Sequence, residues 1–429
     1  MEENFSACFT GLKVFTKSGF VKKNVHVSNG KIVKITEALP DSNDVKVIPA
    51  PDCCMVPSFV DMHVHLREPG FGYKETIKTG TLAAAAGGFS TVCTMPNLKP
   101  SPDSLDNLRI QLDIIEKDAC IHVLPFATIT KSRRGLELVD YEALAPFVAG
   151  FSDDGSGVQS EKVMREAMIG IAKTGKILSA HCEVESLLNG GYIHAGEYAR
   201  KHNHRGISSE SEWKEVERDI RLAEETGCRL HIDHISTKET VELVRQAKQK
   251  GLPVTCETGP HYLVFNDADL KDEGRFKMNP PIRSKEDQEA LLQGVADGTI
   301  DVIATDHAPH SATEKSRGLE KSAMGVVGLE TAFSTMFTYL VDTSDPVISF
   351  ERLIELMVVN PRKILGLSPA NFIEEGIDAD LVIFNPDETF IVNPMEFKSM
   401  GKATPFEGLS LKGKIKLTLF KGKPVYNSL

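Results

Sequence analysis

Two patterns of hydrophobic and polar positions alternate along this chain. The first 55 residues hold short runs in which apolar and polar residues alternate, such as GLKVFT and KNVHVSNGKIVKI, with an Asn29-Gly30 pair inside the second run. Alternation with a period of two around Asn-Gly is typical of antiparallel β-hairpins. The tail returns to this pattern in DADLVIFNPDETFIV and KGKIKLTLFKGKPVY. Since neither end is long enough to bury a core alone, we expect residues 1–54 and 368–429 to form one small β domain.

Between these ends, in residues 55–367, apolar β-branched runs alternate with helix-like segments. This order is typical of βα units with a parallel sheet. Eight strands are predicted, at 56–65, 90–95, 121–127, 147–153, 176–182, 229–235, 252–258 and 301–307. Eight such units predict an α/β fold of the TIM-type (β/α)8 barrel class, with a doubly wound sheet as the alternative.

Two local signals lead to further predictions within this region. Ser236 and Glu239 have the spacing of a capping box and predict the start of a helix after Ser236. The segment SATEKSRGLEKSA, between His310 and Met324, is polar and poor in helix signals. We expect it to be a mobile loop that closes over a site.

Composition and charge narrow the class of protein. The 429 residues carry 49 Lys and Arg against 60 Asp and Glu, a net charge of −11, which disfavours binding to nucleic acid or to an anionic membrane. No apolar run approaches the ~20 residues that span a bilayer, and the start lacks a signal-peptide pattern. The eight cysteines include no CxxC pair, which favours buried, reduced thiols. These features predict a cytoplasmic globular protein.

The segment Asp61-Met62-His63-Val64-His65-Leu66-Arg67 carries the sharpest chemical signal. On a strand, His63, His65 and Arg67 point to the same face, because side chains alternate. Two imidazoles two residues apart can chelate a divalent metal of borderline softness such as Zn²⁺. Arg67 is then expected close to any molecule that binds at this metal.

Other metal-ligand candidates follow predicted strands at their carboxyl ends, where barrel enzymes build their sites. They are Asp153 or Asp154, His181, His234 and Asp306. Strand alternation alone does not choose between the two adjacent aspartates. Six nitrogen and oxygen ligands suit two metals that share a carboxylate and stand about 3.5 to 4 Å apart. Asp306 is the candidate general acid and base for a hydrolysis.

Two longer motifs resemble the signatures of the dihydroorotase family of the amidohydrolase superfamily. They are DMHVHLREPG at 61–70 and ATDHAPHSATEK at 304–315. The resemblance extends through GGFSTVCTMPN (87–97), FSDDG (151–155), KMNPPIR (277–283), GVVGLET (325–331) and NPRKILGL (360–367). Hydantoinases, dihydropyrimidinases and allantoinases share the HxH pair and the late aspartate, but the HLREP continuation and the DHAPH run are more typical of dihydroorotases.

The resemblance assigns roles residue by residue. It implies one metal at His63, His65 and Asp306, a second at His181 and His234, and Asp154 as the shared carboxylate. An aspartate at this position resembles the class I bacterial dihydroorotases, whereas many relatives carry a carbamylated lysine there. The residues implied in substrate binding are His65, Arg67, Asn97, Asn279, His310, Met324 and Gly325.

The implied reaction is the zinc-dependent, reversible cyclisation of N-carbamoyl-L-aspartate to L-dihydroorotate in pyrimidine (UMP) biosynthesis. Two Zn²⁺ ions per subunit, a homodimer and an association with aspartate transcarbamoylase are implied in the same way. One alternative is a cyclic amidase of the hydantoinase or dihydropyrimidinase type, whose substrates need not carry the carboxylate that Arg67 suits. The other is an inactive scaffold, which is disfavoured because all six candidate ligands are present.

Overall fold

A computed structural model describes residues 5–39 and 45–429 of the chain. Parts of the predicted first segment, residues 1–4 and 40–44, lie outside the described residues. The strands are β1 Ser6–Thr16, β2 Gly19–Ser28, β3 Lys31–Thr36, β4 Lys46–Pro49, β5 Cys54–Pro57, β6 Phe59–Val64, β7 Phe89–Thr94, β8 His122–Pro125, β9 Gly150–Phe151, β10 Ile177–Ala180, β11 Ile193–His194, β12 Gly206–Ile207, β13 Arg229–Ile232, β14 Val254–Thr258, β15 Val302–Ile303, β16 Leu381–Asn385, β17 Phe390–Ile391, β18 Ser410–Leu411, β19 Lys414–Phe420 and β20 Lys423–Asn427.

Helices separate most of the strands in the middle of the chain. They are α1 Ile77–Ala86, α2 Leu105–Asp118, α3 Tyr141–Leu144, α4 Glu161–Thr174, α5 Glu197–His202, α6 Glu210–Thr226, α7 Lys238–Gln249, α8 Pro260–Val264, α9 Lys285–Asp297, α10 Ala312–Lys315, α11 Gly318–Lys321, α12 Ala332–Met336, α13 Phe350–Ile354 and α14 Asn360–Leu365. Two π-helical segments, Phe337–Val341 and Glu355–Val359, continue α12 and α13. Within the described ranges, no helix combines the length and the apolar character needed to cross a membrane.

Strands from both ends of the chain lie in one mixed sheet, in the order β20-β19-β16-β5-β1-β2-β3, with β4 beside β1. The two ends meet where β16 pairs with β5 in antiparallel register, Leu381 opposite Pro57. One face of this sheet covers a cluster of buried residues that includes Phe9, Leu12 and Leu417. Alternating burial along β1 and β19 explains why the sequence pattern of both ends has a period of two.

Eight further strands are parallel to their neighbours. They form a three-stranded sheet, β6-β7-β8, and a five-stranded sheet, β9-β10-β13-β14-β15. Single parallel bridges connect the two sheets at both edges, Ala127 with Phe151 and Val64 with His307. The residues of β6 and β10 are buried throughout, as in strands that are covered on both faces. The structure is therefore α/β, as predicted, and all eight predicted strand positions contain a strand.

Two local predictions were wrong in detail. The predicted strand 56–65 is two strands, because the chain leaves the mixed sheet at Ser58, whose N–H donates to Asp380, and then enters the parallel strands. The cap of α7 is Thr237, whose hydroxyl accepts the N–H of Thr240. Ser236 is not available as the cap, since its hydroxyl and its N–H both donate to Glu212.

The mixed sheet and the parallel strands share one hydrophobic core. It extends from Phe15 and Phe384 of the sheet to residues of the parallel strands and their helices. Phenylalanine rings concentrate at this junction, where Phe59 stacks on Phe333 at a centroid distance of 4.7 Å and Phe333 meets Phe384 at 4.8 Å. The two parts of the molecule are thus packed against each other without a polar layer between these rings.

Candidate metal centre and substrate cavity

The six predicted metal ligands come together at the carboxyl ends of five parallel strands. His63 lies within β6 and His65 just after it, and the others follow β9, β10, β13 and β15 at Asp154, His181, His234 and Asp306. All six side chains are buried. His234 and Asp306 have positive φ angles of 33° and 44°. Left-handed backbone at residues other than glycine costs free energy and is concentrated at functional sites, so it suggests that these two side chains are held for a purpose.

Four donor atoms surround the first candidate metal position. Nε2 of His65 is 3.1 Å from Oδ1 of Asp306, and Nε2 of His63 is 3.7 Å from the same oxygen. Asp154 completes the group, with one carboxylate oxygen 3.5 Å from His63 Nε2 and the other 3.6 Å from His65 Nε2. Tetrahedral ligands at about 2.0–2.1 Å from Zn²⁺ are separated from one another by about 3.3 Å, close to these distances.

A second group of three donors shares Asp154 with the first. Its Oδ1 is 3.5 Å from Nδ1 of His181 and 3.5 Å from Nε2 of His234, and these two nitrogens are 3.0 Å apart. The neighbouring Asp153 points elsewhere, because its carboxylate accepts the N–H groups of Ile129 and Thr130. The choice between the two aspartates, which strand alternation left open, therefore favours Asp154 on geometry.

Each of three ligand histidines has an oxygen atom on its far side. Nδ1 of His63 is 2.8 Å from Oε1 of Glu257, and Nδ1 of His65 is 2.9 Å from Oδ1 of Asn97. The amide group of Asn97 donates in turn to Asp154 at 3.2 Å. Nε2 of His181 faces Glu183 Oε2 at 3.6 Å, beyond hydrogen-bond length. Such oxygen atoms orient ligand imidazoles in many metalloproteins.

The electrostatics of the cluster favour charged side chains. Burial lowers the pKa of His63, but the Asp154 and Glu257 carboxylates outweigh burial and hold the pKa well above its usual value. Burial raises the pKa of Asp154, but His63, His181 and His234 lower it well below its usual value. A metal cation can take the place of the protons that these imidazoles carry, so binding of a metal must release protons.

These residues fit a divalent metal. Two sets of three donors, His63 with His65 and Asp154, and Asp154 with His181 and His234, each lie within 4.8 Å of one another. Nε2 of His63 is buried and has no hydrogen-bond partner among the described residues, although it points at two carboxylates. Imidazole nitrogens and carboxylate oxygens are a ligand set that suits zinc and other first-row divalent ions.

A cavity of about 240 Å³ opens above these donors. Its lining includes all seven residues implied in substrate binding, namely His65, Arg67, Asn97, Asn279, His310, Met324 and Gly325. Arg67 is 8% exposed, and its Nε donates to the carbonyl oxygen of Pro309 at 3.2 Å. Burial lowers the pKa of Arg67 to about 10, which leaves its guanidinium charged at neutral pH. The cavity thus places a cation beside two sets of candidate metal ligands.

The segment between His310 and Met324 differs from the predicted helix-poor loop, because it holds the one-turn helices α10 and α11. Lys315, 8% exposed, folds inward, and its ammonium group donates to the carbonyl oxygens of Lys277, Ala323 and Gly325. His310 Nε2 lies 2.7 Å from the Met324 carbonyl oxygen. These contacts fix the backbone of Met324 and Gly325 at the cavity wall; movement of the segment stays a prediction.

Sequence reasoning missed two acidic residues of the centre. Glu257 and Glu183 each lie behind a ligand histidine, as described above. A signal for Glu257 was present in the sequence, since an acidic residue inside the apolar strand run LPVTCET must find a buried partner. His231, which we considered mainly structural, is 3.2 Å from Glu257 and thus two contacts from a metal ligand.

Comparison with known proteins gives the family. A dihydroorotase from Fusobacterium nucleatum subsp. nucleatum is 46% identical over 415 residues, 96% of this chain and 97% of the relative. The chain belongs to the dihydroorotase family. A second member of this family, from Geobacillus sp., is 44% identical over 96% of the chain and 97% of its own length. The sequence model described as "Dihydro-orotase-like" matches residues 53–240, a stretch that holds five of the six candidate ligands.

Solved structures of related enzymes share the fold. The L-hydantoinase (dihydropyrimidinase) from Arthrobacter aurescens has a TM-score of 0.87 and 26% identity, covering 99% of this chain and 96% of its own. A D-hydantoinase reaches a TM-score of 0.86 at 22% identity and 99% coverage of this chain. The dihydroorotase family therefore shares its architecture with other cyclic amide hydrolases, and this chain is a metal-dependent hydrolase of that kind.

Proposed function

We propose that this chain interconverts N-carbamoyl-L-aspartate and L-dihydroorotate, the ring-closing step of pyrimidine (UMP) biosynthesis. The observation that carries the proposal is the cavity in which Arg67 stands beside two sets of candidate metal ligands. Ring opening of a cyclic amide needs an activated water, and a substrate with a carboxylate suits the rigid fork of an arginine. Relatives that carry the name dihydroorotase over nearly the full length support this assignment.

For the metals, we propose two Zn²⁺ ions per subunit that share Asp154. His63, His65 and Asp306 hold one ion, and His181 and His234 hold the other. The donor distances around Asp154, all close to 3.5 Å, support a shared carboxylate. When bound, such metals polarise a carbonyl oxygen and lower the pKa of a bound water to about 7.

The residues of the chain then perform the proton transfer and the binding. In ring opening, Asp306 accepts a proton from the attacking water and returns it to the ring nitrogen as the C–N bond breaks. In ring closure it takes the proton from that nitrogen and returns it as water leaves. Arg67, with Asn97 and His310, binds the substrate carboxylate, while Asn279 and the backbone of Met324 and Gly325 hold the amide groups of the ring. Surroundings rich in imidazole lower the pKa of Asp306 against the effect of burial, so it begins as the base.

For the architecture, we infer that the eight parallel strands close into a TIM-type (β/α)8 barrel over residues 55–367. The bridges at Ala127–Phe151 and Val64–His307 support closure at both gaps between the two sheets. Residues 1–54 and 368–429 supply the small β domain. The pairing of β5 with both β1 and β16 supports this division, although the mixed sheet includes residues up to Pro57.

The proposal is tested by ring opening of L-dihydroorotate. The purified full-length chain is assayed with added Zn²⁺, after treatment with a chelator, and after zinc is restored. We expect turnover that disappears with the chelator and returns with zinc. Absence of turnover in the zinc-loaded protein contradicts the proposal.

A second candidate function is supported by the structural neighbours that are hydantoinases. Hydantoin and dihydrouracil, cyclic amides without a carboxylate, serve as test substrates under the same conditions. We expect L-dihydroorotate to be strongly preferred, because Arg67 lines the cavity. Faster turnover of the uncharged rings points to the hydantoinase type instead.

For partners and location, we propose a homodimer in the cytoplasm that can associate with aspartate transcarbamoylase. The family resemblance supports these assignments. Sedimentation of the pure chain measures the oligomeric state, and co-sedimentation with the transcarbamoylase measures the association. A scaffold without activity is disfavoured because the six candidate ligands lie together.

A further inference from the structure

Glu257 occupies a buried position behind the metal centre. It lies on β14 and is 1% exposed, and its Oε1 is 2.8 Å from Nδ1 of His63. The other nitrogen of the same imidazole, Nε2, lies near the carboxylates of Asp154 and Asp306 at 3.5 and 3.7 Å. Glu257 and the candidate metal position are therefore on opposite sides of one ring.

This arrangement determines which nitrogen of His63 carries the hydrogen. An ionised carboxylate only accepts hydrogen bonds, so the nitrogen next to Glu257 must be the N–H donor. Nε2 then keeps its lone pair, and it is buried without a hydrogen-bond partner among the described residues. A lone pair in that place is the one that a metal needs.

A second strand holds Glu257 in turn. Its Oε2 is 3.2 Å from Nε2 of His231 on β13, a residue that is 1% exposed. Nδ1 of His231 is 2.8 Å from the hydroxyl oxygen of Thr255. A neutral imidazole that donates from Nε2 accepts at Nδ1, so the hydroxyl of Thr255 donates there. Glu257 receives one N–H from each of two histidines, which fixes both of its oxygens.

We propose that Glu257 is a positioning residue: supported by His231, it fixes the tautomer and the ring orientation of His63 and thereby sets the metal affinity of the centre. This inference rests on the proposed ligand set. Buried carboxylates behind metal-binding histidines strengthen metal binding, and their removal typically costs about 10- to 100-fold in affinity. A network that only fills the interior would instead lower stability without a specific effect on the metal.

The test compares zinc affinities of the full-length protein, measured by competition with a chromophoric chelator. We expect Glu257→Ala to weaken zinc binding by about 10- to 100-fold. Glu257→Gln keeps an oxygen for His63 and should lose less. For the supporting residue, His231→Leu removes the N–H that Glu257 accepts, whereas His231→Gln keeps an N–H at that position and should restore most of the affinity.

Asp287→Asn is the matched control, because Asp287 is a carboxylate of similar burial, 3% exposed, that binds Lys238 and Ser284 instead of a metal ligand. It should leave zinc affinity unchanged. The visible absorption of the Co²⁺-loaded protein should change in Glu257→Ala and remain like the wild type in the control, since it reports the ligand geometry. The unfolding midpoint of chelator-treated protein shows whether each variant folds.

Two results overturn the inference: wild-type zinc affinity in Glu257→Ala, or equal losses in Glu257→Ala and Asp287→Asn. If Glu257→Ala does not fold, the two His231 variants decide, and equal affinities in that pair also overturn it. The proposed function fails separately, when zinc-loaded wild type does not open L-dihydroorotate. In that case the zinc affinities still test the role of Glu257.

Discussion

At the scale of single residues, Asp306 has two neighbours that explain its proposed role. Its Oδ1 is 3.1 Å from Nε2 of His65, and it lines the cavity. Because Asp306→Asn cannot take a proton from water, we expect turnover of L-dihydroorotate to fall by about 10³-fold. Steady-state kinetics of the zinc-loaded variant measure this loss. Asp345→Asn, at an exposed position, should leave turnover unchanged. Full activity in Asp306→Asn would contradict the mechanism.

Arg67 gives a prediction about specificity. Loss of a charge-assisted hydrogen bond costs about 1.5–3 kcal/mol, so Arg67→Ala should raise KM for L-dihydroorotate by about 10- to 100-fold. The same change should leave KM for dihydrouracil nearly unaltered, since that ring has no carboxylate. Kinetics with both substrates measure the difference. Equal effects on both would show that Arg67 acts on the structure of the site rather than on the carboxylate.

The residues of the centre also show what a single sequence can indicate. The ligands could be predicted, because histidine and aspartate at the ends of predicted strands meet at one edge of parallel strands. The choice of Asp154 over Asp153 needed the structure, since it depends on a turn after β9 that has no period. Glu257 was missed because its partner, His63, is 194 residues away along the chain.

At the scale of elements, the strand positions followed from runs of buried residues, but the element ends did not. The split at Ser58 depends on a hydrogen bond to Asp380, a residue of the distant C-terminal segment. The cap of α7 moved to Thr237 because Glu212 of α6 binds Ser236. In both cases a tertiary contact outweighs a local signal, which is why sequence patterns locate elements better than their boundaries.

The segment that holds α10 and α11 gives a pH prediction. Burial, together with Lys277, lowers the pKa of Lys315 from 10.5 to about 7. Between pH 7 and 10.5 the unfolded chain therefore binds more protons at this position than the folded chain, and stability rises with pH by up to about 1.4 kcal/mol per unit. Below pH 7 both states carry the proton and this slope vanishes. Glu314, which faces Lys315 as well, opposes the shift.

The difference in unfolding free energy between wild type and Lys315→Met isolates this titration, because the other groups are common to both proteins. We expect the wild type to gain on the variant as the pH rises from 7 to 9. Urea unfolding at three pH values measures the difference. Lys321→Met, an exposed lysine of the same segment, should show no such trend. A flat difference for Lys315→Met would mean that Lys315 is charged over this range.

At the scale of the whole molecule, the shared core predicts that the mixed sheet and the parallel strands unfold together. Phe384 of β16 is 1% exposed and packs against Phe333, Phe337 and Phe350. Truncation of a buried phenylalanine costs about 3–5 kcal/mol, so Phe384→Ala should lower the unfolding midpoint of the sheet that contains it. Because the core is continuous, the parallel strands should lose stability at the same denaturant concentration.

The single tryptophan makes this measurable, since Trp213 lies on α6, next to the parallel strands and outside the mixed sheet. In Phe384→Ala, the midpoint from Trp213 fluorescence should shift by as much as the midpoint from far-UV circular dichroism. Ile391→Ala, at a position 60% exposed, should leave both midpoints unchanged. If fluorescence stays at the wild-type midpoint while circular dichroism shifts, the two parts unfold independently and the phenylalanine junction does not couple them. Coincident shifts mean that substitutions in the terminal segments destabilise the metal centre through the core alone.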